Sequence, residues 1–460
     1  MANICVLGAG LAGSEAAWQL ARRGLEVDLI DMKPGQVSPA HELPHFAELV
    51  CSNSLRSEKF TTASGLLKLE LAHFGSLVME AAQACRLPAG NALAVDREAF
   101  PRYITEKLQA EPLIHIEERQ VHSLDDLPQT YQIIATGPLT SAGLFASIQA
   151  FTGQDNLYFF DAAAPLIIDE SVDLDIAYRG NRYEEGEGDY LNCPLDEDQY
   201  RTFYEALIDA ECVEPAGFER SLLFEGCKPV EELARDGYDT LRFGPLKPVG
   251  LVNPHTGQEA FAVVQLRQDN FAQDLWNMVG FQTKLKFSEQ ERVFRLIPGL
   301  AQARFARYGV MHRNSFINSP RLLTDFYRCK SQPQRFFAGQ ITGVEGYLES
   351  AASGLLAGLA LAKDLGKETS ALDKLQDRTS VLAGLAAYVS QADPDNFQPM
   401  KANFSLLRAL DSKEIKYFKQ KYGLKGRGRA VRRAIYSLRS LEALDFPPEE
   451  IQSQLAACRL

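Results

Sequence analysis

No C-x-x-C pair occurs among the eight cysteines, which stand scattered at positions 5, 51, 85, 193, 212, 227, 329 and 458. That spacing excludes a zinc ribbon and a vicinal dithiol centre, so any special thiol is a solitary, catalytic one. Long apolar runs are also missing. The weakest-polarity stretch, residues 351–362, is broken by Ser353, Gly354 and Gly358 and falls short of the ~18–20 apolar residues a membrane span needs. The opening MANICVLGAG has neither a basic leader nor a small-residue cleavage pattern, so a reducing cytoplasmic setting is expected. There is no internal repeat and no low-complexity tract. Positive charge is in deficit overall, with a net charge of -12, which argues against a generic nucleic-acid binder. What is present is ordinary globular composition, 46% hydrophobic and 23% charged over 460 residues. That length is enough for a large core and at least one added domain.

The N-terminus carries the clearest motif. An apolar run over residues 3–7 ends at Gly8-Ala9-Gly10-Leu11-Ala12-Gly13, an Ala-rich amphipathic stretch follows to Arg23, and Gly24 stops it. A second apolar run over 27–30 ends in Asp31, 21 residues after Gly10. This order predicts strand, glycine turn, helix and strand. Gly8 permits the tight turn, Gly10 lets the backbone approach a pyrophosphate, Gly13 allows close helix packing, and Asp31 accepts from a ribose hydroxyl. The helix N-terminus meets the phosphates. FAD and NAD both fit at this stage.

Two further turns follow predicted strands. Residues 132–134 lead into Ala135-Thr136-Gly137-Pro138, and residues 335–338 lead into Gly339-Gln340, then Gly343 to Gly346 and a small-residue helix. Such a helix N-terminus either stabilises charge on a ligand or simply packs tightly on a sheet. No second G-x-G-x-x-G follows a strand, so a nicotinamide dinucleotide is expected only to visit. Between about 164 and 332 the composition shifts toward Tyr, Glu, Asp and Pro, which suits an inserted domain, and helical periodicity dominates from about 363 onward.

Cys227 precedes Lys228-Pro229 and a predicted helix over 230–234; helix dipole and lysine both favour a thiolate, against the commoner fate of an inert buried cysteine. Cys51 lies in the polar run Val50-Cys51-Ser52-Asn53-Ser54-Leu55-Arg56, either an exposed thiol near the first βαβ unit or a solvated connection. Cys5, Cys85 and Cys193 read as packing residues. His41-Glu42-Leu43-Pro44-His45 matches the H-E-x-x-H zinc pattern on paper, but Pro39 and Pro44 prevent the helix that would align the two histidines, so no metal is expected. Residues 413–439 hold five Lys and five Arg against Glu414 alone, leaving the remainder of the chain at -21. This segment either contacts a polyanion such as RNA or docks on the acidic body.

Several strings together are far more specific than the glycine fingerprint: ELVCSNSLRS at 48–57, AVDRE at 94–98, ATGPL at 135–139, YLNCP at 190–194, EGC at 225–227 and PMKANF at 399–404, with residues 261–267, 308–314 and 337–350. In these the chain resembles the folate- and FAD-dependent tRNA uracil-5-methyltransferases, relatives of the GidA-type tRNA-modifying flavoproteins. The resemblance implies an α/β fold. It consists of a Rossmann-like FAD-binding domain (1–165 with 331–365), an inserted α+β domain (166–330) and a helical, partly basic C-terminal segment (366–460).

It implies transfer of the 5,10-methylenetetrahydrofolate carbon through reduced FAD to C5 of the T-loop uridine of tRNA, with NADPH or NADH as reductant. It further implies catalysis by Cys227, attacking uracil C6, and by Cys51 on the flavin side as methylene acceptor or base. Cofactor contacts are expected at Gly8, Ala9, Gly10, Leu11, Ala12, Gly13, Asp31, Asp96, Arg97, Thr136, Gly137, Gly339, Gln340 and Gly346. Asp31 stands where relatives usually carry Glu, and residues 440–460 match nothing recognisable in the family. A small-molecule FAD oxidoreductase, a GidA-type enzyme acting on another uridine, and a non-catalytic RNA-binding flavoprotein are the competing readings.

Overall fold

The computed structural model describes residues 3–38, 40–153, 157–184, 186, 188–213, 228–375, 377–426 and 428–457. Strand β1 (Ile4–Leu7) is buried on both faces, which is why its four residues are uninterruptedly apolar rather than alternating. It occupies the centre of a parallel sheet whose order is Arg335–Phe337, Tyr131–Ile134, β1, β2 (Val27–Asp31) and Ile114–Glu118. Helix α1 (Leu11–Ala21) crosses from β1 toward β2 and packs along the helix Tyr347–Asp364. The three turns singled out in the sequence, after residues 7, 134 and 337, therefore all emerge at the carboxyl ends of adjacent strands, where open α/β sheets bind ligands.

A second sheet is built from residues in the middle of the chain. Its order is Tyr178–Arg179, Tyr190–Leu195, Ala262–Gln268, Leu275–Met278, Leu166–Ile168 and Phe305–Arg307, and every pairing is antiparallel. Trp276, Tyr200, Phe203 and Phe281 fill its core. Two hydrophobic cores result, one drawn from residues between 4 and 148 and between 317 and 451, the other from residues between 164 and 303. On this basis we propose that the chain divides into two packing units, the second inserted into the first.

The C-terminal helices belong to the first core. Phe418, Ile435, Leu438 and Leu441 are buried in it, and the Ser437 hydroxyl donates to Phe60 O at 2.7 Å. The buried carboxylate of Glu70 accepts from the amides of Val381 and Leu382, at 2.9 and 2.8 Å, and from the Ser440 hydroxyl at 2.6 Å. It thereby satisfies orphan N–H groups at the start of the helix Val381–Gln391. The segment read from sequence as a charged tail is thus half interior. Among the described residues no helix is long and apolar enough to cross a membrane.

Candidate active site

The glycine turn is built by steric necessity. Gly8 has φ +96°, and a Cβ there would lie 2.6 Å from Ala135 O; a Cβ on Gly13 would lie 1.7 Å from Gly8 O. Gly10, by contrast, has no neighbouring atom within 4 Å of such a Cβ. Its backbone is open where a phosphate approaches the N-terminus of α1. Asp31 holds this turn: the amide of Ala9 donates to its Oδ2 at 2.6 Å and that of Lys33 to its Oδ1 at 2.8 Å. Each oxygen keeps a second lone pair for a ribose hydroxyl.

Gly8, Ala9, Gly10, Leu11, Ala12, Asp31, Thr136, Gly137, Gly339 and Gln340 all line one cavity. The glycine cradle, the open face at Gly10 and the free lone pairs of Asp31 fit an FAD.

Other expected residues stand elsewhere. Asp96 caps the helix Ala99–Ala110, its Oδ1 accepting from the amides of Glu98 and Ala99 at 3.0 and 2.7 Å, while its Oδ2 accepts from the Phe271 amide at 2.6 Å. Arg97 donates through Nε and Nη2 to Asp269, at 2.7 and 3.0 Å, and through Nη1 to Leu49 O at 2.6 Å. Gly346 faces Glu349 and Arg56. None of the three is part of the cavity wall, and neither is Gly13, whose place is the contact of α1 with the turn. Asp96 and Arg97, expected as cofactor contacts, both tie the first unit to residues 269–271 of the inserted one.

Cys51 lines the same cavity. Its thiol donates to Ala162 O at 3.3 Å, and the amides of Cys51 and Ser52 both donate to the Tyr347 hydroxyl, at 2.8 and 3.0 Å. Burial, with the Asp161 carboxylate adding to it, pushes the thiol up to about 12, against the pull of Arg97 and Arg307. It is a neutral thiol in this state. Just beyond it, residues expected to be a loop form the strand Ser54–Ser57, paired with Ala92–Val95. Cys227 lies outside the described residues.

Sequence reasoning gave no role to several polar residues of this cavity, among them Asp161, His41, His312 and Tyr347. Residues 41–45 are non-helical, and His41 Nδ1 is paired with the Ser38 hydroxyl at 2.6 Å. Burial, with Lys33 assisting, holds this imidazole down at about 4, and burial also lowers His312. Behind Gln340, buried Glu345 accepts from its amide at 2.5 Å and is pushed up to about 8 by burial and by Asp161. Tyr347 had a local signal, since it opens the small-residue helix. Among the described residues no three His, Cys, Asp or Glu side chains group as metal ligands.

Comparison with known proteins bears on the family. The model of a family described as glucose inhibited division protein A matches residues 3–369. A methylenetetrahydrofolate–tRNA-(uracil-5-)-methyltransferase TrmFO of Lactobacillus acidophilus is 53% identical over 421 residues, 91% of this chain and 95% of that protein. The TrmFO of Heliobacterium modesticaldum is 51% identical over 443 residues, 96% of this chain and 97% of that protein. The solved structure of Aquifex aeolicus GidA superposes with a TM-score of 0.63 at 13% identity, covering 99% of this chain and 88% of that one, and so shares the fold. With a family model matching most of its length and relatives this similar over nine-tenths of it, the chain belongs to the GidA family and, within it, to the TrmFO methyltransferases.

Proposed function

We propose that the chain methylates C5 of the T-loop uridine of tRNA, taking the carbon from 5,10-methylenetetrahydrofolate, with FAD in the cavity and NADPH or NADH as reductant. The observation that carries this reading is the presence of Cys51 in the wall of the cavity that the glycine turn, Asp31, Thr136 and Gln340 also line. When bound, FAD supplies the redox equivalents and the one-carbon relay between folate and pyrimidine. The chain itself does the rest: amides at the start of α1 face the pyrophosphate, and Asp31 orients the ribose. The Cys51 thiol holds a proton at Sγ beside the place where carbon transfer is to occur.

Uracil C5 is a weak nucleophile, and addition of a thiolate at C6 makes it enolate-like before its proton is removed. Cys227 is assigned the attack on C6, on the strength of the family resemblance and of its position before Pro229, where the helix Val230–Arg235 begins. RNA contact is assigned to exposed cations at Lys413, Lys416, Lys425, Arg429 and Arg432, beside the half-exposed ring of Tyr417.

The test is incubation of the holoenzyme with T-loop RNA carrying 5-fluorouridine, followed by peptide mass mapping. The expected result is an RNA adduct on Cys227 that Cys227→Ala abolishes while the protein stays yellow. An adduct on another cysteine overturns the division of labour between the thiols, and no adduct at all overturns the reaction.

A further inference from the structure

The backbone around Cys51 is gripped by guanidinium groups. Arg97 donates to Leu49 O, Arg307 to Val50 O, and Arg267 to both Ser52 Oγ and Asn53 Oδ1, at 2.8 and 2.9 Å in the last two cases. Asn53 in turn donates to Gln268 O at 2.9 Å. Two of the three arginines belong to the inserted unit: Arg267 to the strand Ala262–Gln268 and Arg307 to the strand Phe305–Arg307.

Their charge balance differs. Arg97 is matched by the bidentate carboxylate of Asp269. Arg267 is only 6% exposed; among the described residues its hydrogen-bond acceptors are the neutral oxygens of Asn53, Ser52, Asn277 and Tyr190, and the carboxylate that acts on it, Asp269, is the one already held by Arg97. Arg307 likewise donates to a carbonyl. A buried guanidinium with no carboxylate of its own is costly, and the cost is offset when a negative charge forms beside it. The groups facing Cys51 are Asp161, Glu345 and Tyr347 on one side and Arg97, Arg267 and Arg307 on the other.

We propose that Arg267 and Arg307 are positioning residues for Cys51, through which the inserted unit fixes the orientation of this thiol and supplies the cationic surroundings that its thiolate form requires. The proposal rests on the assignment of Cys51 to the chemistry of the site.

Its test is the alkylation rate of Cys51 by iodoacetamide in holoenzyme, read by peptide mass mapping. Cys212, whose charged neighbours are Glu231, Lys284 and Arg235, serves as internal reference. Because the thiolate is the reacting species and one adjacent opposite charge moves a titration by a unit or more, Arg267→Gln and Arg307→Gln are each expected to slow Cys51 about tenfold at fixed pH. Cys212 is expected to be unchanged, and Arg267→Lys and Arg307→Lys to keep most of the wild-type rate. Equal rates in the Gln and wild-type proteins, equal slowing in the Gln and Lys variants, or a wild-type Cys51 that never reacts would each overturn the proposal. Should Arg267→Gln not accumulate as a yellow protein, the half-buried Arg307 pair decides. Assaying tRNA methylation by the wild-type preparation separates the two failures: an enzyme inactive on tRNA refutes the function, while the alkylation series still reports on the arginines.

Discussion

Gly10 and Gly13 lie three residues apart in one motif, yet a methyl group at each meets a different environment. At Gly13 it runs into the backbone of Gly8, whereas at Gly10 it enters open space. Gly13→Ala is therefore expected to destabilise the fold by about 1–3 kcal/mol or more, as overpacking against an immovable partner does, and to lose flavin as a consequence. Gly10→Ala is expected to leave the unfolding midpoint nearly unchanged and to lose flavin alone. Thermal unfolding together with the absorbance ratio of flavin to protein distinguishes these outcomes, and an equal drop in melting temperature in both variants would contradict the cradle geometry. The sequence revealed these glycines because the motif that fixes them, from Gly8 to Asp31, is local. The bracing role of Arg97 was not legible for the opposite reason: its carboxylate partner is Asp269, and nothing local to AVDRE announces a brace between distant strands.

At the scale of the element, the cap on the helix Val381–Gln391 comes from Glu70, on the helix Ala63–His73, and no sequence rule for capping reaches that far. Strand Ser54–Ser57 escaped notice similarly, because its polar residues resemble a loop until Ala92–Val95 is known to pair with it. The Glu70 cap makes a pH prediction. Burial raises this carboxyl from the ordinary 4.5 to about 7 in the folded protein. Between those values the native state binds the extra proton, so stability falls as pH rises through the window. The slope is at most about 1.4 kcal/mol per pH unit; below the window the penalty is absent, and above it the penalty is complete. Glu70→Gln cannot ionise. Urea unfolding of both proteins at pH 5 and pH 7 is expected to show the wild type losing stability relative to the variant as pH rises, and parallel behaviour would refute the burial argument.

On the scale of the whole molecule, the charge separation legible in the sequence, a strongly basic window on an acidic remainder, takes a definite form. Helices Ser412–Tyr422 and Arg429–Ala443 turn Phe418, Ile435 and Leu438 inward. Arg439 is also buried, donating to Arg408 O at 2.6 Å and pairing with Glu414. Deleting the segment would open the first core, so loss of RNA binding in a truncated protein would say nothing about contact. Substitution of outward cations does. Lys413, Lys416, Arg429 and Arg432 are exposed on these two helices, and each phosphate neutralised by such a group releases counterions. Replacing the four by Gln is expected to leave the melting temperature within error and to weaken tRNA binding at low salt. It is also expected to flatten the plot of log affinity against log salt by ~0.7–0.9 for each phosphate that is no longer neutralised. A slope identical to wild type, with the fold intact, would move the RNA to another face and leave these cations balancing the acidic body.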